Sequence, residues 1–148
     1  MKWTCIAAAA LVPLGGFETA KAAAGGCHAV SGDFTAVSPP DCPSFLCTHG
    51  TLTGDLAGTY DFVAIGITPE GAVAGRSTIT LENGAVIHGS DTSVLHPDGT
   101  FVTTVRFVGG TRQYAHVAGA LVAPGAFTPS GGTEGTYSGT ICLGAVER

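Results

Sequence analysis

The sequence predicts an all-β domain whose antiparallel, up-and-down sheet closes into a barrel. Turn signals recur at a near-constant spacing: Pro69-Glu70-Gly71, Asn83-Gly84, Pro97-Asp98-Gly99, Gly109-Gly110 and Pro124-Gly125 begin at intervals of about fourteen, fourteen, twelve and fifteen residues, one strand plus one turn each. The intervening segments are rich in Val, Ile, Thr and Phe, and no long window shows apolar residues at helical spacing free of Gly or Pro. Strands of about ten residues span about 33 Å. A sheet with edges that long hides them by closing on itself.

The first element in order is an address. Lys2 precedes an apolar run, Cys5 to Leu14, followed by small residues with Ala-x-Ala sites at 20–22 and 22–24, so residues 1–24 are expected to be a signal peptide. The run is about half the length of a spanning helix, which argues against a membrane anchor. Gly26-Cys27 faintly resembles a lipoprotein site, but Glu18 and Lys21 separate it from the apolar run. Cleavage after Ala24 leaves a single domain, residues 25–148, in an extracellular protein.

That domain carries four arginines against ten acidic residues, a formal charge of −6, and no lysine. Without a basic patch it is a poor partner for nucleic acid. Without lysine it performs no Schiff-base chemistry.

Alternation sorts the faces of the strands. In "GAVAGRSTITLE", Val73, Ile79 and Leu81 share one parity and Arg76, Thr78, Thr80 and Glu82 the other. In "GTFVTTVRFV", Phe101, Val105 and Phe107 oppose Thr100, Thr104 and Arg106, so Arg76 and Arg106 are expected outside. "EGTYSGTICL" groups Tyr137, Ile141 and Leu143 on one face. In "VIHGSDTSVLH", Asp91 shares parity with Ala85, Ile87 and Leu95 and is expected inside, while His88 falls with Val86 and Val94 on a face that parity alone does not settle. Between two apolar runs, "VGGTRQYAHVAG" reads as a corner: Gly109 and Gly110 turn the chain where a Cβ would clash, and Tyr114 anchors its return. A phosphate cradle would need a helix after the glycines, and "YAHVAGALVAPG" reads as strand and turn.

Cys27, Cys42, Cys47 and Cys142 form an even set bound for an oxidising compartment, which favours disulfides over a metal site lacking zinc spacing. Three pairings exist. If the strand near Gly32 to Val37 pairs antiparallel with Thr136 to Cys142 to close the barrel, Cys27 comes beside Cys142, leaving Cys42 and Cys47 to close a local loop.

Together, "GTLTGDLAGTYDF", "VGGTRQYAHVAGAL" and "GTYSGTICL" resemble proteins with the allene oxide cyclase barrel-like domain, relatives of plant allene oxide cyclases and dirigent proteins, over roughly Gly32 to Leu143. Two departures bear on local turn geometry: Arg112 stands where the family commonly has glycine, and His116 replaces another small residue. The resemblance implies an eight-stranded antiparallel barrel, an apolar lumen that steers a reactive hydrophobic molecule, no cofactor, and assembly of homo-oligomers through barrel exteriors. The plant enzymes' acidic and asparagine water-holding residues have no clear counterpart here.

No nucleophile elbow, zinc-protease motif, Walker loop or nicotinamide fingerprint occurs. What the resemblance then implies is a cofactor-free, metal-free cyclase or isomerase, such as a Diels-Alderase of secondary metabolism, that restricts the conformers of a hydrophobic small molecule. Asp91, Tyr60 and Tyr137 are its candidate catalytic residues, set to polarise or orient one oxygen. Phe62, Phe101, Val105, Phe107, His88 and Tyr114 are the candidate substrate-binding residues. Each has a plainer role beside it: a satisfied structural carboxylate for Asp91, core packing for the tyrosines, an exposed ring for His88. A lipocalin-like carrier without turnover and a structural exoprotein with a self-filled barrel are the alternatives.

Overall fold

The computed structural model describes residues 26–144. The expected signal peptide lies outside the described residues. Eight strands follow one another around a closed barrel: β1 (Cys27–Val37), β2 (Cys47–Leu52), β3 (Gly58–Ile67), β4 (Val73–Leu81), β5 (Val86–Leu95), β6 (Thr100–Gly110), β7 (Ala118–Phe127) and β8 (Thr133–Cys142). Every neighbouring pair is antiparallel, and β8 returns to β1 in continuous register from Cys27↔Cys142 to Ala36↔Thr133. The sheet therefore has no free edge.

Four hairpins share one construction. In Thr68–Ala72, Leu81–Ala85, His96–Thr100 and Thr128–Gly132 the first N–H bonds the last carbonyl, and the fourth residue's N–H turns back to the first carbonyl. That fourth residue is Gly71, Gly84, Gly99 or Gly131, each with φ near +85°. This backbone suits glycine, and the short bulged loop matches the twist of the strands it joins. The turn expected at Pro124-Gly125 is not one: both residues lie within β7, and the reversal falls at Pro129-Ser130-Gly131 instead. Pro124 sits where the β7–β8 ladder is interrupted between Val122↔Ser138 and Gly125↔Gly135, while on the other side it stays in register with Val102 of β6. Gly125 serves packing, because a Cβ there would meet the Phe101 and Phe34 rings at 2.7 and 2.8 Å.

The corner after β6 is also built differently from expectation. Gly109 and Gly110 end the strand, Val108 is left unpaired as a bulge between His88↔Gly109 and Gly89↔Phe107, and a 3-10 turn over Arg112–Tyr114 makes the reversal. Arg112 takes φ +54°, the left-handed conformation that glycine adopts without strain. Its guanidinium donates to the Asn83 carbonyl at 2.5 Å, tying this corner to the neighbouring hairpin.

The two ends of the barrel differ. At one end the β2–β3, β4–β5 and β6–β7 connections meet the start of β1 and the end of β8, and Leu56, Ala85, Ile87, Val117 and Ile141 pack it shut, Ala85 and Ile87 with no exposure at all. Cys27–Cys142 pins the closing seam there. Cys42–Cys47 closes the β1–β2 loop at the opposite end. Both pairings match the topological expectation, and they leave Cys27 no free sulfur for a lipid and the four cysteines no thiolate for a metal.

Candidate functional site

The lumen is the candidate site. Period-two alternation sends one residue in two inward, and the inner side chains are too few and too small toward the open end to fill it. A cavity of about 100 Å³ remains, with Leu95 and Phe127, 44% and 38% exposed, at its mouth. Its walls are largely aromatic and aliphatic: Phe34, Tyr60, Phe62, Phe101, Val105 and Leu121. Phe34 meets Tyr60 edge-on at 6.1 Å and Phe101 at 6.3 Å, forming a continuous aromatic wall.

One polar stripe crosses this wall. Asp91 on β5 faces inward as its parity predicts and is only 4% exposed. Its Oδ2 accepts a short hydrogen bond from Ser77 Oγ at 2.5 Å on the adjacent strand. Its Oδ1 is buried with no hydrogen-bond partner. Gly89 makes room beside the pair, since a Cβ there would stand 2.5 Å from Val105 Cγ1 and 3.1 Å from both Asp91 Oδ1 and Ser77 Oγ. Burial pushes the Asp91 carboxyl up to about 6, with the Ser77 hydroxyl pulling the other way. Nearer the mouth, Ser93 and Thr103 satisfy each other at 2.6 Å.

The two tyrosines part ways. Tyr60 lines the cavity, and burial raises its hydroxyl above the ordinary value while the side chains of Thr133 and Thr48 draw it back. Tyr137 also reaches the lumen wall, but its hydroxyl is spent on the backbone. It accepts from Leu56 N–H at 2.9 Å and donates to the Thr53 carbonyl at 2.6 Å, bracing the β2–β3 connection. Burial raises its pKa, the Leu56 N–H lowers it, and the carboxylates of Asp55 and Asp33 add to the rise. With both hydrogen-bonding roles occupied, Tyr137 is a brace for the closed end instead of a group aimed at a substrate.

Of the expected binding residues, Phe62, Phe101 and Val105 line the cavity. Phe107 is buried in the core nearer the closed end and does not reach it. His88 is exposed on the outer wall, with Nδ1 3.5 Å from Thr78 Oγ1. Tyr114 lies in the 3-10 turn outside the closed end, half-buried against the core. Neither His88 nor Tyr114 meets the lumen, so neither binds what enters it. Ser77, Ser93, Thr48, Thr133 and Phe34 are lumen residues that the sequence reading missed. Parity held the signal for two of them: Ser77 alternates with Val73 and Ile79, and Ser93 with Asp91.

On the outer wall His49 Nδ1 and Asp61 Oδ1 lie 2.6 Å apart. Both are more than half exposed, so the pair is a solvated cross-strand contact of small energetic weight. No helix among the described residues is long and apolar enough to cross a membrane. No family model, curated protein or solved structure matches this chain.

Proposed function

We propose that the protein is exported and binds a small apolar molecule in the barrel lumen, acting on it as a cofactor-free isomerase or cyclase of the kind the allene oxide cyclase resemblance implies. One observation carries the reading. A largely apolar, aromatic-walled cavity, open at one end, is lined by the carboxyl group of Asp91, whose Oδ1 is buried with no hydrogen-bond partner. A folded core without a function satisfies or excludes such a group. Confinement between Phe34, Phe62 and Phe101 limits the conformers of a flexible molecule, which lowers the entropic part of a ring-closure or rearrangement barrier. Asp91 orients one polar group of that molecule, and a carboxyl near pH 6 exchanges a proton readily around neutrality. At about 100 Å³ the enclosed volume suits a ring or short chain of roughly benzene size, with any longer tail leaving between Leu95 and Phe127.

The engagement of Tyr60 and Tyr137 with the protein's own groups favours a second reading, a carrier with the same cavity and no turnover. Mass spectrometry of small molecules released on denaturing the purified protein tests what the two readings share. An apolar compound recovered in near-stoichiometric amount is the expected result. Its conversion by fresh protein, lost in Asp91→Asn, separates enzyme from carrier. A lumen that yields nothing and takes up no apolar probe would leave a structural barrel.

A further inference from the structure

We infer that the lumen is built for a cationic ligand: a small apolar molecule carrying one protonated amine, whose ammonium pairs with the Asp91 carboxylate that lines the cavity. This rests on the lumen being the binding site and names the chemistry it selects. Three features of the cavity converge. The unpartnered Oδ1 is an acceptor and asks for a donor. Ser77 gives its hydroxyl proton to Oδ2, and Ser93 and Thr103 are paired with each other, so the nearest hydroxyls leave Oδ1 unanswered.

Among the described residues no Lys, Arg or His lines the cavity, so a carboxylate or phosphate entering it would face Asp91 without a counter-charge. The cavity that Asp91 lines is also walled by Phe34, Tyr60, Phe62 and Phe101, rings that attract a desolvated cation through their quadrupoles. Aromatic walls, one carboxylate and no positive charge form a cage for a cation. A neutral hydroxyl would satisfy the hydrogen bond but leave a buried negative charge uncompensated.

Among the described residues the other titratable groups lining the lumen are Tyr60 of β3 and Tyr137 of β8, both raised above their ordinary value, while Arg76 of β4, His88 of β5 and Arg106 of β6 lie exposed on the outer wall. Asp91 therefore controls the charge of the lumen alone. An ammonium binds its ionised form, so affinity is full above about pH 6 and falls as the carboxyl takes up a proton below it.

Titration of the full domain with toluene, benzyl alcohol, benzylamine and benzoate, four probes sharing one ring, decides the matter. At pH 7.5 benzylamine is expected to bind at least tenfold more tightly than toluene or benzyl alcohol, and benzoate most weakly. Lowering the pH to 5 should weaken benzylamine about tenfold while moving toluene little. Asp91→Asn should bring benzylamine to the level of benzyl alcohol and leave toluene within about twofold. The wild-type pH series keeps the test available should that variant misfold. Equal binding of toluene and benzylamine, or tightest binding of benzyl alcohol or benzoate, would overturn the amine while leaving the lumen as a site. Failure of every probe, toluene included, would overturn the lumen as well.

Discussion

Asp91 holds an ionisable group in a place where ionisation is costly. Its raised pKa means that the folded protein binds a proton more tightly than the unfolded chain. The contribution of Asp91 to stability is therefore full below about pH 4 and is lost as pH rises through about 6, by about 3 kcal/mol in all. Asp91→Asn should flatten this slope and, in denaturant melts at pH 7, unfold about 1–2 kcal/mol later than wild type. A loss of stability at pH 7 would show that the carboxylate is structurally satisfied. Tyr137→Phe should behave in the opposite way. It deprives Leu56 N–H and the Thr53 carbonyl of their partner and is expected to cost about 1–3 kcal/mol without changing ligand affinity.

The contrast between these residues marks what the sequence could reveal. Alternation placed Asp91, Phe101 and Val105 inside because each lies in a long strand of regular parity. The same parity points Tyr137 inward, but nothing local says that its hydroxyl meets backbone 81 and 84 residues earlier in the chain.

The hairpins show where local reading succeeds and where it fails. Gly71, Gly84 and Gly99 were legible because each closes a short polar loop between alternating runs. Pro124-Gly125 was misread because a Pro-Gly pair looks the same in a turn as in a strand interrupted to accommodate aromatic rings. The true signal was repetition: Thr68-Pro69-Glu70-Gly71 reappears as Thr128-Pro129-Ser130-Gly131. Thr48 and Thr133 stayed hidden because β2 is short and the start of β8 shows no apolar alternation.

The β6–β7 corner offers an element-level test. A left-handed residue with a side chain costs about 1 kcal/mol relative to glycine, and Arg112 offsets this with its bond to Asn83. Arg112→Ala keeps the strained backbone and loses the bond, whereas Arg112→Gly loses the bond and the strain together. In thermal or denaturant melts the glycine variant should be about 1 kcal/mol more stable than the alanine variant. The reverse order would mean that the backbone at 112 is not left-handed.

Closure is the property of the whole molecule from which the lumen follows. The β1–β8 seam joins strands from opposite ends of the chain, and Cys27–Cys142 ties them across 115 residues. A crosslink spanning so long a loop removes much entropy from the unfolded chain, about 4–5 kcal/mol in the loop-closure picture, against about 2 kcal/mol for the five-residue Cys42–Cys47 span. Replacing Cys27 and Cys142 by serine should therefore lower the unfolding free energy by more than replacing Cys42 and Cys47. An equal or inverted effect would mean that the seam contributes little.

The most direct measurement is a crystal structure under xenon pressure, because xenon enters apolar cavities that are accessible and unfilled. Density is expected within the barrel between Phe34, Phe62, Val105 and Leu121, and it should disappear in Ala123→Phe, which fills the lumen wall. Side chains collapsed across the barrel axis with no xenon among them would contradict the binding lumen and everything proposed for it.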